Sequence, residues 1–273
     1  MKYSFSCPAT CNFEIRVDAK DEREAVAKIV AEGASHGNQF HPHVLSMTEE
    51  QLRNAVRSGI VEAGASVKSA VGGLLAFWFA LVFLLGLDGA FIRPSQAPPF
   101  PILLGFIVPL VVFAVAYLAS GTFRALVLGA DLRFLTATQG WRAGGLGFLA
   151  LYAQGLLPAL FAWPAGIGDI AIGITAPWVA LALVHRPNFA ATPQFVAWNL
   201  FGILDLVVAV STGTLGSGFI AGLTGNVTTA PMAQMPLVLI PAFFVPLFIM
   251  FHIAALLQAR RHLLPERSRA ALR

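Results

Sequence analysis

The stretch Pro164–Val184, PAGIGDIAIGITAPWVALALV, decides the fold. It is apolar throughout except for one charge, Asp169. A bilayer core about 30 Å thick needs about 20 such residues in a row, so this reads as a membrane span. The next apolar stretch, residues 194–214, repeats its signature. Gly166-Ile167-Gly168-Asp169-Ile170 is matched by Gly202-Ile203-Leu204-Asp205-Leu206. Six residues after each aspartate comes a hydroxyl, Thr175 in one and Ser211 in the other. An aspartate at mid-span costs about 2.5–3.5 kcal/mol on insertion scales. Two in register therefore mark the polar groups on which a function inside the membrane would rest.

Working outward, four more stretches are long and apolar enough to cross, giving spans near 72–92, 101–121, 143–162, 164–184, 194–214 and 236–258. Trp163-Pro164 predicts a very short turn between the third and fourth. The chain has 273 residues, of which 57% are hydrophobic and 12% charged. That is about half the charge of a soluble domain, and the charge is segregated. Residues 1–71 hold eight Lys/Arg and nine Asp/Glu, whereas residues 72–258 hold five Arg and four Asp. The division predicts a head over 1–62, a helical linker over 63–71, a six-helix membrane domain over 72–258 and a basic tail over 259–273. The fold class is an all-α integral membrane bundle of six transmembrane helices. It carries a small N-terminal α/β, ββα-like cytosolic domain.

Basic residues alternate with span number. Arg53, Arg57 and Lys68 precede the first span, and Arg124, Arg133 and Arg142 lie between the second and third. Arg186 lies between the fourth and fifth, and five arginines follow the sixth. The other loops hold only Arg93. This is the positive-inside pattern for a bacterial inner membrane with both termini cytoplasmic. The net charge of +4 then reflects loops and tail facing anionic lipid, not nucleic acid. Met1–Arg16 has no apolar core of a signal peptide, so the first span would serve as an uncleaved anchor. Residues 122–142 read either as an amphipathic helix along the inner face or as an ordinary loop.

In the head, Tyr3–Cys7 and Asn12–Val17 read as strands, the second by its alternation of Phe13, Ile15 and Val17. Asp21 with Glu24 opens a helix that His36-Gly37 closes, and Thr48 with Gln51 opens a second that runs on through Lys68. Cys7 and Cys11 are the two cysteines of the chain, and His36, His41 and His43 follow the first helix. A cytosolic location argues against a disulfide. A tetrahedral zinc site from Cys7, Cys11, His36 and His41, with His43 as the substitute, is one reading. Two free thiols and solvent-facing histidines are the other.

Met1-Lys2, Cys7, Cys11, the helix Glu22–Ala34 and His36-Gly37 carry a resemblance. Residues 1–60 resemble a family of very short bacterial proteins of unknown function. The remainder is similar to uncharacterised six-span bacterial membrane proteins. The resemblance implies no activity, because those proteins have none assigned.

Within the membrane, Asp169 and Asp205 differ in depth by only about 6 Å, so they could meet in the outer half of an antiparallel helix pair and hold a cation or share a proton. With His252 they sample outer, middle and inner depths, with Asn199, Thr175 and Ser211 as companions. Gln154, Tyr117 and Tyr152 are further polar groups on the apolar segments. The spacing fits a proton or cation path. It predicts a small transporter or channel-like protein for protons, cations or a small solute, associated with lipid and able to self-associate. A membrane-anchored sensing module, whose head takes a metal or a cytosolic partner, is the second expectation. A redox or lipid-modifying enzyme is the third, disfavoured because no nucleotide loop, catalytic triad or paired-histidine set is present.

Overall fold

The computed structural model describes residues 2–6, 14–40, 47–62, 65–94, 96–186 and 188–263. The chain divides into two compact units, residues 1–73 and 74–273.

In the first unit, strands β1 (Lys2–Ser6) and β2 (Glu14–Asp18) pair antiparallel, with Tyr3 opposite Val17 and Phe5 opposite Ile15. Helix α1 (Glu22–Phe40) opens on Asp21, whose Oδ1 accepts the Glu24 amide at 2.9 Å, while Glu24 reaches back to the Lys20 amide. The helix continues past His36-Gly37, where a cap was expected, and ends at Phe40. Helix α2 (Glu49–Gly59) begins on a reciprocal box between Thr48 and Gln51. It does not run on toward the membrane. Gly59 ends it, and the β-branched pair Ile60-Val61 forms β3 (Ile60–Glu62) on the free edge of β1. The sheet order is β2-β1-β3. Tyr3, Ile15, Val17, Val26, Ile29 and Val56 close a small core. Cys7, Cys11, His41 and His43 lie outside the described residues. His36 sits on α1 with its side chain undescribed.

From α3 (Ala65–Leu87) onward the chain is helical and apolar. Helix α4 (Phe100–Ala119) is followed by α5 (Gly121–Leu128) and α6 (Leu132–Ala137). Then come a 3-10 segment over Thr138–Gly145, the two-turn helix α7 (Leu146–Ala153) and the 27-residue helix α8 (Ala159–His185). Helix α9 (Pro193–Leu215), a π turn over Ile240–Phe244 and α10 (Val245–Leu263) complete the unit. Among the described residues, five helical stretches are long and apolar enough to cross a membrane: Ser69–Leu87, Phe100–Ala119, Ala159–His185, Pro193–Leu215 and Ile240–Arg261.

The third expected span, 143–162, is not one helix. Gly144, Gly145 and Gly147 weaken it, and it is spent on the end of the 3-10 segment, α7 and a turn through Gly155 at φ +72°. Its last residues join α8, so Trp163-Pro164 lies within a helix and not at a turn. The segment still returns the chain. Pro99 and Ile102 from the start of α4 and Phe161 from the start of α8 line one cavity, so the chain between them doubles back. Gly173 faces the backbone of Ala143, whereas Gly166 faces Leu149, so the segment runs antiparallel along α8. Irregular backbone is tolerated at such depth where it lies against protein. Residues 121–137 are neither a single surface helix nor a plain loop. They form α5 and α6, which bury Val127 and Leu135 against Ala254 of α10.

Candidate functional site

The buried face of α9 runs Phe195, Asn199, Gly202, Asp205/Leu206 and Ala209. That of α8 runs Ala162, Ala165/Gly166, Asp169, Ile172/Gly173 and Ala176. Both follow the three-and-four spacing of one helix side. The two faces bring their aspartates to one guanidinium, that of Arg142 on the 3-10 segment. Arg142 Nε donates to Asp169 Oδ1 at 2.7 Å, and Nη2 donates to Asp205 Oδ2. Nη1 donates to the Gly202 carbonyl at 3.3 Å and meets His252 Nε2 at 3.1 Å. Four of the five N–H groups of the guanidinium are thereby engaged. The Arg142 side chain is 1% exposed, Asp205 5% and Asp169 13%.

The histidine's proton is set by its neighbours. Asn199 Nδ2 donates to the Phe195 carbonyl at 2.8 Å, which turns its Oδ1 toward His252 Nδ1 at 2.9 Å. An amide oxygen only accepts, so Nδ1 carries the hydrogen. Nε2 is then a lone pair and accepts from Arg142. The Trp198 ring packs edge-on against His252, with centroids 5.4 Å apart. Its Nε1 donates to Thr175 Oγ1 at 2.9 Å, tying α9 to α8.

Glycines make the room. A Cβ on Gly168 would collide with the Asp205 carboxylate, and one on Gly202 with the His252 ring. A Cβ on Gly173 would strike the backbone of Ala143 and Arg142.

Asp169 and Asp205 thus meet at one cation, as their similar depths allow, and His252 with Asn199 joins them at the same point instead of standing at a separate inner depth. Thr175 joins only through Trp198. Ser211 stands apart, exposed, with its hydroxyl donating to the Val207 carbonyl on its own helix. Tyr117 lies under the Arg124 guanidinium, and Tyr152 packs on Trp163. Gln154 is exposed at the end of α7. The residue that sequence reasoning missed is Arg142, counted there among loop charges that orient the chain. The available signal was arithmetic: two intramembrane carboxylates require a cation, and Arg142 is the arginine flanked by glycines beside an apolar run.

A cavity of about 150 Å³ runs to Asp169 from the end of the bundle where α4, α8 and the π turn begin. Its walls are mainly apolar, with Phe148, Phe161, Leu206 and Val245 among them. Arg93 stands at its rim, donating to the carbonyls of Pro94 at 3.1 Å and Ser217 at 2.8 Å. Burial pushes the Arg93 guanidinium below its ordinary range. Ser217 also lines the cavity, and its buried hydroxyl has no hydrogen-bond partner. Among the described residues, no cluster of three His, Cys, Asp or Glu side chains has the geometry of a metal site.

The fold and this cluster define an α-helical membrane protein in which Arg142, Asp169, Asp205 and His252 meet in the bundle interior. The chain belongs to the family described as a domain of unknown function, DUF8737, whose model matches residues 99–260. The match takes in α4 through all but the last three residues of α10, and every residue of the cluster. No curated protein and no solved structure matches the chain.

Proposed function

We propose that the protein is a small proton-dependent transporter whose working group is the carboxylate pair held by Arg142. The observation that carries this reading is the charge balance of the cluster: two aspartates against one arginine, with His252 holding its single proton on Nδ1. The surplus carboxylate is Asp169, the most exposed of the three side chains, and it lines the cavity. Ionisable residues at such depth are expensive and mark ion or proton paths. Arg142 fills the space between the carboxylates where a bare metal cation would sit, which favours a proton as the exchangeable charge. A plasma-membrane setting with both ends cytoplasmic is part of the proposal. It is supported by the doubling back of residues 120–158 and by the basic residues outside the cluster.

The test is proton flux into liposomes containing the full-length protein and a trapped pH dye, driven by a potassium-diffusion potential. Wild type should pass protons at least about ten-fold faster than empty liposomes. Asp169→Asn and Asp205→Asn should insert and purify normally yet fall to the empty-liposome rate. Equal flux in wild type and both variants would leave the cluster a structural clamp.

A further inference from the structure

We propose that the cavity above Asp169 binds a small organic ammonium ion with an apolar body about the size of benzene, in exchange for a proton. The inference rests on the reading of Asp169 as the exchangeable carboxylate and names what exchanges with it. Size comes first. An apolar cavity of about 150 Å³ is known to take benzene, and this one has that volume and mainly apolar walls. Charge comes second. Asp169 Oδ1 is occupied by Arg142 Nε, whereas nothing among the described residues donates to Oδ2. An ammonium N–H at Oδ2 would bring the cluster to neutrality, as a bound proton does. The two therefore compete for one carboxylate.

A carboxylate ligand is disfavoured at the base, where the two aspartates outnumber the arginine. Arg93 stands at the rim, where it donates one N–H from each terminal nitrogen to the carbonyls of Pro94 and Ser217, and among the described residues it makes no ion pair with either aspartate. The unpartnered Ser217 hydroxyl is the second polar contact available to a ligand.

The experiment is calorimetric titration of the detergent-solubilised full-length protein with three probes sharing one ring: benzylammonium, benzyl alcohol and benzoate. Benzylammonium should bind at least about ten-fold more tightly than benzyl alcohol, as a charge-assisted hydrogen bond allows. Benzoate should bind more weakly than either. Benzylammonium should also release a proton, read from the dependence of its heat on the buffer's ionisation enthalpy. Asp169→Asn should erase the preference for benzylammonium. Ala209→Leu, which narrows the cavity without touching the cluster, should weaken all three probes. The proposal is overturned if benzoate matches benzylammonium, if none of the three binds, or if the preference survives in Asp169→Asn. Binding is read here without flux. A protein that passes protons but ignores these probes would lose the ligand and keep the transport reading. One that binds them without flux would do the reverse.

Discussion

Arg57 and Arg142 make the same kind of bond in opposite solvents. In the first unit, Arg57 meets Glu22 at 3.2 Å with both side chains about half exposed. In the second, Arg142 meets Asp169 at 2.7 Å with almost no exposure. Water already solvates the first pair, so joining it gains little, roughly 0.2–1 kcal/mol for pairs of this kind. The second pair is largely removed from water, and taking away its one cation, Arg142, strands the carboxylates at a cost of about 3–5 kcal/mol. The head tolerates its ion pairs, whereas the bundle is organised around one.

The strongest way to break this contrast is Arg142→Leu. It leaves two carboxylates without a cation and should cost about 3–5 kcal/mol or prevent accumulation in the membrane. Thermal melting in detergent measures it, and a wild-type melt would refute the account. Replacing Arg142, Asp169 and Asp205 together by leucine should recover much of the loss, because no charge is then stranded.

A pair of glycines sharpens the comparison within the bundle. Gly173→Ala drives a methyl into the backbone of Ala143 and should cost about 1–3 kcal/mol, as overpacking does. Gly147→Ala, on α7 with nothing within 4 Å of its Cβ, should instead stabilise by about 0.5–1 kcal/mol. Equal melting shifts would mean that the 3-10 segment is not pressed against α8.

The smallest effects belong to the head. Glu22→Gln should shift stability by less than about 1 kcal/mol, and the shift should vanish in high salt. Glu24 titrates in the same unit. Its hydrogen bonds to Lys28 and to the Lys20 amide hold its carboxyl below the usual glutamate range. Its contribution is therefore complete above the unfolded value of about 4.3 and is lost as pH falls through the lower folded value. Glu24→Gln should remove that part of the acid sensitivity, seen by circular dichroism of the full chain during acid titration.

The long helices were legible because an apolar run of about 20 residues has few other destinations. The strand pair and both helix starts in the head were legible from alternation and capping residues. Three features were hidden for identifiable reasons. Trp163-Pro164 looked like a turn, but α8 accommodates Pro164 in its second turn, the earlier break being supplied by Gly155 and Pro158. Arg142 looked like a loop charge because spacing along one segment says nothing of a cation arriving from another. The pairing of Ile60-Val61 with β1 was equally invisible, since it spans more than fifty residues of chain. The aspartates could be picked out as a pair, from their repeated signature and similar depth. The four-element junction that unites them with His252 is a property of the tertiary structure.

The depth of Asp169 has an electrical consequence. It lies ten residues into α8, about 15 Å along the axis at 1.5 Å per residue, or roughly half of a 30 Å hydrocarbon core. A unit charge crossing the full membrane field exchanges about 2.3 kcal/mol per 100 mV. Any ion that reaches Asp169 from the cavity mouth therefore traverses about half of that drop, on the order of 1 kcal/mol per 100 mV. On the proposed reading, occupancy of the site would be voltage-dependent even if no helix moves.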